Sequence, residues 1–125
     1  MIRKGTYAKY NGKEYRFVDL DDGTVNLVSH NSEENGFIHY DNDIYIKHVN
    51  VDTLEETYII NPYAKYKGEI FGVSNAEDGK VLLATSDAEL GESFQFNLVD
   101  KYFYSKKVDL IEVEIIEDIL PYSID

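Results

Sequence analysis

Three residue types in this 125-residue chain could do chemistry: eleven tyrosines, twenty-four carboxylates and three histidines. His30, His39 and His48 recur every nine residues, and three histidines hold zinc when they converge. Here each would have to come from a separate strand, with no carboxylate spacing to complete the shell, so no metal is expected. Asp19-Leu20-Asp21-Asp22-Gly23 invites comparison with a calcium loop, but its glycine comes one position early and His30 stands where the bidentate glutamate is needed. Turn chemistry accounts for that stretch. The chain has no nucleophile–base constellation, glycine-rich phosphate loop or paired-acid motif. No enzyme activity, catalytic residue or cofactor is therefore expected. With no cysteine, disulfides, thiol catalysis and thiolate zinc sites are excluded.

The tyrosines point to binding instead. Tyr10, Tyr15, Tyr66 and Phe71 sit in similar contexts and read as core. Tyr40-Asp41-Asn42-Asp43-Ile44-Tyr45 and Asp100-Lys101-Tyr102-Phe103-Tyr104 instead combine tyrosine with carboxylates where far hairpins are expected. Tyrosine supplies contact area at little entropy cost, and flanking carboxylates steer it towards a basic partner. Tyr40, Asp41, Asp43, Tyr45, Asp100, Tyr102 and Tyr104 are the candidate partner-binding residues, with packing between modules as the competing reading. Strand alternation puts Tyr102 and Tyr104 on one face and Phe103 on the other. Glu112, Glu114, Glu117, Asp118 and Asp125 add negative charge near the C-terminus, read as a solvated strand edge with an acidic docking strip as the rival.

Twelve basic residues against the acidic ones leave a net charge of −12. That disfavours nucleic acid and anionic membranes and favours a basic protein partner. No apolar run approaches the roughly 20 residues a membrane span needs. Met1-Ile2-Arg3-Lys4 is not followed by the apolar stretch of a signal peptide, so a cytoplasmic protein is expected. Ten lysines against two arginines, with abundant Ile, Asn and Tyr, match the codon bias of a low-GC bacterium or its phage.

The elements that must position these residues are written twice. Tyr7-Ala8-Lys9-Tyr10-Asn11-Gly12 overlies Tyr63-Ala64-Lys65-Tyr66-Lys67-Gly68, and the same offset of 56 matches Tyr15 to Phe71, Asp22-Gly23 to Asp78-Gly79, Val25 to Val81 and Leu27 to Leu83. Nine of the first 23 aligned positions are identical. Small insertions then shift the frame, so that Val51-Asp52 falls on Val108-Asp109. Asn61-Pro62 marks the seam. Within each copy the hydrophobic period is two, as in Glu14-Tyr15-Arg16-Phe17 and Thr24-Val25-Asn26-Leu27. Five strands per copy are expected, near 5–10, 13–20, 24–30, 36–41 and 44–49 in the first, joined in part by two-residue Asp-Gly turns. A turn at Asp52–Glu55 precedes a closing strand at Thr57–Ile60. A turn or two of helix is allowed only near Leu110–Ile119, where Ile111, Val113 and Ile115 nonetheless alternate as in a strand.

The string Gly5-Thr6-Tyr7-Ala8-Lys9-Tyr10-Asn11-Gly12-Lys13-Glu14-Tyr15, followed by Asp21-Asp22-Gly23-Thr24-Val25-Asn26-Leu27, resembles the opening hairpins of small barrels of the Tudor and Src-homology-3 type. The resemblance covers about 25 residues of each copy and implies an all-β chain of two tandem Src-homology-3-like five-stranded small barrels, residues 1–61 and 62–125. In size, acidity and lack of catalytic motifs the chain is also similar to immunity proteins of bacterial toxin systems. That likeness implies a protein that neutralises a cationic toxin, for example a nuclease, by tight binding. The alternative is a Tudor- or Src-homology-3-like adaptor that reads a peptide or small ligand in an aromatic groove formed by Tyr10, Tyr15 and Tyr40. Oligomeric state is left open.

Overall fold

A computed structural model of the chain describes residues 2–124; Met1 and Asp125 lie outside the described residues. The chain is all-β, an open antiparallel sheet with one short helix among those residues. The strands are β1 Gly5–Tyr10, β2 Lys13–Asp19, β3 Thr24–Ser29, β4 Ile38–Asp41, β5 Ile44–Asn50, β6 Glu56–Tyr66, β7 Glu69–Asn75, β8 Lys80–Thr85, β9 Asn97–Asp100, β10 Phe103–Asp109 and β11 Glu114–Pro121. Helix α1, Ala88–Ser93, lies between β8 and β9, and single 3-10 turns at Val51–Thr53 and Leu110–Glu112 follow β5 and β10. No helix is long and apolar enough to cross a membrane.

Two compact units form. One holds Lys4–Ile60 and the segment from Ile119 onward; the other holds Asn61–Asp118 and the residues up to Arg3. The sequence reading divided the chain at 61/62 with no exchange of ends. Each end adds apolar side chains to the core of the unit that it joins. In the N-terminal unit, Ala8, Phe17, Val25, Leu27 and Val49 make a buried core onto which Tyr122 and Ile124 pack. The Tyr122 ring meets Phe17 edge-on at 5.8 Å, and its backbone exchanges hydrogen bonds with Thr57, one from the Thr57 hydroxyl at 2.6 Å. In the C-terminal unit Ala64, Tyr66, Phe71, Val73, Val81, Leu83, Phe96 and Val108 form the core, and Ile2 packs against it. The Asn75 amide holds the Ile2 backbone on both its N–H (3.0 Å) and its carbonyl (3.1 Å), while Arg3 forks onto Glu117 at 2.7 and 3.0 Å.

In the N-terminal unit the strands are ordered β4-β5-β3-β2-β1-β6, and in the C-terminal unit β6-β7-β8-β10-β9, with β11 pairing to β6. β6 gives its first part to one ladder and its second to the other. Registers correspond at a fixed offset. Ala8 faces Tyr15 as Ala64 faces Phe71, and Phe17 faces Leu27 as Val73 faces Leu83, 56 residues apart. After the β3 and β8 strands the offset becomes 59: Val25 faces Val49 and Val81 faces Val108. Val51 donates its amide to the Gly23 carbonyl as Leu110 does to Gly79, so Val51 corresponds to Leu110 and not to Val108. The extra residues lie before β9, where α1 stands.

The local turns follow from φ. Asn11-Gly12 and Lys67-Gly68 all have positive φ (51°, 77°, 48° and 86°), the requirement of a tight two-residue hairpin. The Asp-Gly stretches make wider connections than expected. Four residues separate β2 from β3, with Asp21 and Gly23 left-handed and the Leu20 amide bonded to the Thr24 carbonyl at 3.2 Å. The helix allowed near Leu110–Ile119 is a single 3-10 turn followed by strand β11, in keeping with the alternation there. Helix α1 was not anticipated; Asp87 caps it by accepting the Leu90 amide at 3.2 Å.

Candidate functional site: an apolar groove with acidic ends

The candidate site is the outer face of the N-terminal unit's sheet. Because Ala8, Phe17 and Leu27 point into the core, their neighbours point outward. One row across that face can be followed strand by strand: Tyr58 on β6, Tyr7 on β1, Arg16 on β2, Val28 on β3, Ile46 on β5 and Ile38 on β4 stand directly opposite one another in turn. Tyr7 and Tyr58 are buried and close one end of the row, their rings stacked with centroids 6.5 Å apart. Beyond Arg16 the face opens. Val18, Leu20, Val28, Tyr40, Ile44 and Ile46, with Arg16 and Asn26, line a groove of about 400 Å³. Its rim is poorly covered, Val18 being 53% exposed and Ile38 and Tyr40, on the bordering strand, 68% and 69%, while Val28, Ile44 and Ile46 in the floor are half-buried. Isolated exposed apolar residues are ordinary; here Val18, Leu20 and Tyr40 are exposed around one groove.

Carboxylates stand at both ends of this groove. Thr24 pairs with Asn50 and Ser29 with Tyr45, so the β2–β3 connection and the β4–β5 turn lie at opposite ends of the strands. Asp21 and Asp22 stand in the connection at the first end, Asp41 and Asp43 at the second, while Asp19, opposite Val25, lies on the core-facing side. Asp22 is held below the usual carboxylate range by hydrogen bonds from the Thr24 hydroxyl and then the Thr24 amide at 3.0 Å. Asp43 lies 3.3 Å from His30 Nδ1. Arg16 is the cation in the lining, and its methylene stem extends the apolar floor.

The corresponding row of the C-terminal unit is different in kind. Tyr63, Gly72, Ala84, Ser105 and Asn97 stand opposite one another in turn, where the N-terminal unit has Tyr7, Arg16, Val28, Ile46 and Ile38. Bulky apolar side chains at three strands are replaced by alanine, serine and asparagine. The two cores match; these two outer rows do not.

A second, smaller site lies at the other side of the N-terminal unit's core. Tyr10, Tyr15, Phe37, Glu34, Lys13 and Lys47 line a pocket of about 160 Å³. The Tyr15 hydroxyl donates to Glu34 at 2.8 Å, and Lys13 reaches the same carboxylate at 3.3 Å. Burial and the Glu34 carboxylate push the Tyr15 hydroxyl up to about 12, and the Tyr15 hydroxyl, then Lys13, hold Glu34 below its ordinary value. Lys47 already lies over the Tyr10 ring, 5.1 Å from its centroid. In the C-terminal unit the equivalent space is filled with aromatic rings, Phe71 meeting Phe96 at 4.9 Å and Phe94 at 5.5 Å.

The residues nominated from sequence are dispersed by this architecture. Tyr40 borders the groove, with Asp41 and Asp43 at its end; all three are exposed. Tyr45 is half-buried on the opposite face, its ring 5.2 Å from His39. Asp100, the last residue of β9, and Tyr102, in the β9–β10 turn, are exposed, and Lys101 covers the Tyr102 ring at 5.3 Å. Tyr104 is turned into the core against α1. Tyr102 and Tyr104 therefore do not share a face: Lys101-Tyr102 form the turn, and the register shifts between Phe103 and Tyr104. Val18, Leu20, Val28, Ile44 and Ile46 were missed; Val18 and Val28 adjoin the core residues Phe17 and Leu27 and are apolar where a solvated face calls for a polar side chain. The three histidines have separate partners: Asp43 for His30, the Asn42 carbonyl for His39 and Asn26 for His48. Among the described residues no three His, Asp or Glu side chains group as metal ligands would.

No curated protein and no solved structure matches the chain. A family model does, over residues 2–124, and the chain belongs to that family, described as Uncharacterised conserved protein UCP033725.

Proposed function

We propose that the chain is a non-catalytic, cytoplasmic binding protein that captures a basic protein partner through the groove of its N-terminal unit, in the manner of an immunity protein that neutralises a cationic toxin. The observation that carries this reading is the exposed apolar face of β2, β3, β5 and β4 with carboxylates at both ends. The net charge and the carboxylates of the two flanking turns are both negative, so a basic partner is steered to the surface before the apolar contacts form around Arg16. The paired registers further support two tandem Src-homology-3-like modules from an internal duplication. Toxin neutralisation is the most specific form of the proposal and rests on size, acidity and the absence of a catalytic motif.

The test compares the chain with a Val28→Ser/Ile46→Ser variant in capture from lysate of the source cell. The native chain retains a basic protein, with an on-rate that falls at least about tenfold between low and high salt. The variant retains much less. Capture of nothing basic, or an on-rate indifferent to salt, removes the reading.

A second reading has one observation in its favour. Tyr10, Tyr15 and Phe37 do cluster around a small pocket, as an adaptor for a small or peptide ligand requires. Tyr40, the third member expected there, lies at the groove instead. Saturable binding that changes tyrosine fluorescence and is lost in Tyr15→Phe would favour the adaptor.

A further inference from the structure

We infer that the groove receives an amphipathic, cationic α-helix of the partner, not an added β-strand. The inference rests on the groove being the docking surface and specifies what occupies it. Three features lead to it.

The first is the way the surface is open. β4 is the outermost strand of its ladder, hydrogen-bonded to β5 alone among the described residues, and is the natural place for strand addition. It is four residues long, and its register breaks between His39 and Asp41. A short edge with a bulge is blunted against pairing. What remains open is the face, where Val18, Leu20, Val28, Ile44 and Ile46 form a trough that needs a convex apolar ridge to fill it. A helix with apolar residues at i, i+3, i+4 and i+7 presents such a ridge.

The second is length. β3, in the floor, has six residues and so spans about 20 Å. At about 1.5 Å per residue that is the length of a helix of roughly 13 residues.

The third is charge. Asp21 and Asp22 in the turn at one end and Asp41 and Asp43 at the other would meet the two ends of such a helix, with Arg16 the one charged side chain along the lining between them. Lysine or arginine flanking the apolar stripe at both ends would satisfy them, whereas an acidic helix, or a second copy of this chain at −12, would be repelled.

The probes are three synthetic peptides of about 14 residues. The first contains only leucine and lysine, with leucine at helical spacing. The second has the same composition in strict alternation, the spacing of a strand. The third replaces every lysine of the first with glutamate. Each is titrated into the full chain and into the Val28→Ser/Ile46→Ser variant, followed by calorimetry and by backbone resonances of 16–30 and 38–48. The helical lysine peptide should bind the native chain at least about tenfold more tightly than either other peptide, and at least about tenfold more tightly than it binds the variant. Its resonance changes should centre on Val28 and Ile46, and the peptide should become helical on binding. Tighter, groove-dependent binding of the alternating peptide overturns the helix and leaves the docking surface standing. Binding of the helical peptide that the variant does not weaken overturns both, since the acidic surface at large would then be the attractant. No binding of the helical peptide overturns the helix inference, while lysate capture continues to test the surface on its own.

Discussion

Gly91→Ala should destabilise the chain, although at a helix interior the same change ordinarily stabilises by about 1 kcal/mol. Gly91 is buried in α1 with no positive φ, so alanine suits its backbone. The obstacle is Tyr104. A Cβ placed on Gly91 would lie 2.6 Å from Tyr104 Cγ and 2.9 Å from its Cβ and Cδ2. Those atoms are the root of the ring, which cannot swing clear by rotation about its own axis. Relief requires α1 to lift or Tyr104 to leave the core, and such overpacking costs about 1–3 kcal/mol, occasionally more. Subtracting the helix-propensity gain leaves a net loss of up to about 2 kcal/mol. Tyr104→Ala alone should cost about 2–4 kcal/mol, towards the lower part of the range for a fully buried aromatic because Tyr104 is only half-buried. In that background the Cγ and ring contacts are gone and only the Cβ contact at 2.9 Å remains, so Gly91→Ala should cost less than in the native chain. Urea unfolding of the four proteins of the cycle, with m-values compared, reads that reduction. If Gly91→Ala stabilises the native chain, or if its effect is the same with and without the Tyr104 ring, then Tyr104 is not the scaffold residue described above and returns as a docking candidate.

Two smaller predictions follow from the same geometry. Lys67 sits left-handed at φ 48° in the position where the N-terminal unit has Asn11, a conformation that costs an ordinary residue about 1–2 kcal/mol, while its amine over the Tyr66 ring at 5.2 Å returns about 0.5 kcal/mol. Lys67→Asn should therefore raise stability by about 0.5 kcal/mol in urea unfolding, and an unchanged or lower midpoint would contradict this. Tyr15, raised to about 12 in the fold against about 10 unfolded, favours its neutral form in the native state. Its contribution to stability is complete below pH 10 and is lost as pH rises from about 10 towards about 12. Ultraviolet titration of tyrosinate should show an ionisation near about 12 that Tyr15→Phe abolishes; its persistence in that variant would refute the assignment.

Much of the scaffold was legible because it is local. Period-two alternation located β1, β2, β3 and β5 nearly to the residue, and the identities between Tyr7–Gly12 and Tyr63–Gly68 anticipated hairpins with the same register. What escaped depends on distance in the chain. The exchange of ends is decided by where Ile2 and Tyr122 find apolar cover, which no spacing records. Helix α1 is six residues long, too short for a period to appear, although Asp87 before Ala88-Glu89-Leu90 carries a capping signal. The groove was overlooked because Val18, Val28 and Ile46 look like ordinary strand residues until their register shows that they share the face turned away from the core. Tyrosine content drew attention to the turns, and a bulge and a core contact then separated Tyr102 from Tyr104.

The central claim is that docking uses the N-terminal unit's outer face. Hydroxyl-radical footprinting of the chain, free and in complex with its captured basic partner, tests it most directly by reading side-chain exposure residue by residue. Val18, Ile38 and Tyr40 should lose most of their reactivity in the complex, while Tyr102, Leu98 and Ile111, all exposed in the C-terminal unit, should keep theirs. Protection of Leu98 and Tyr102 with Ile38 and Tyr40 unchanged would contradict the account.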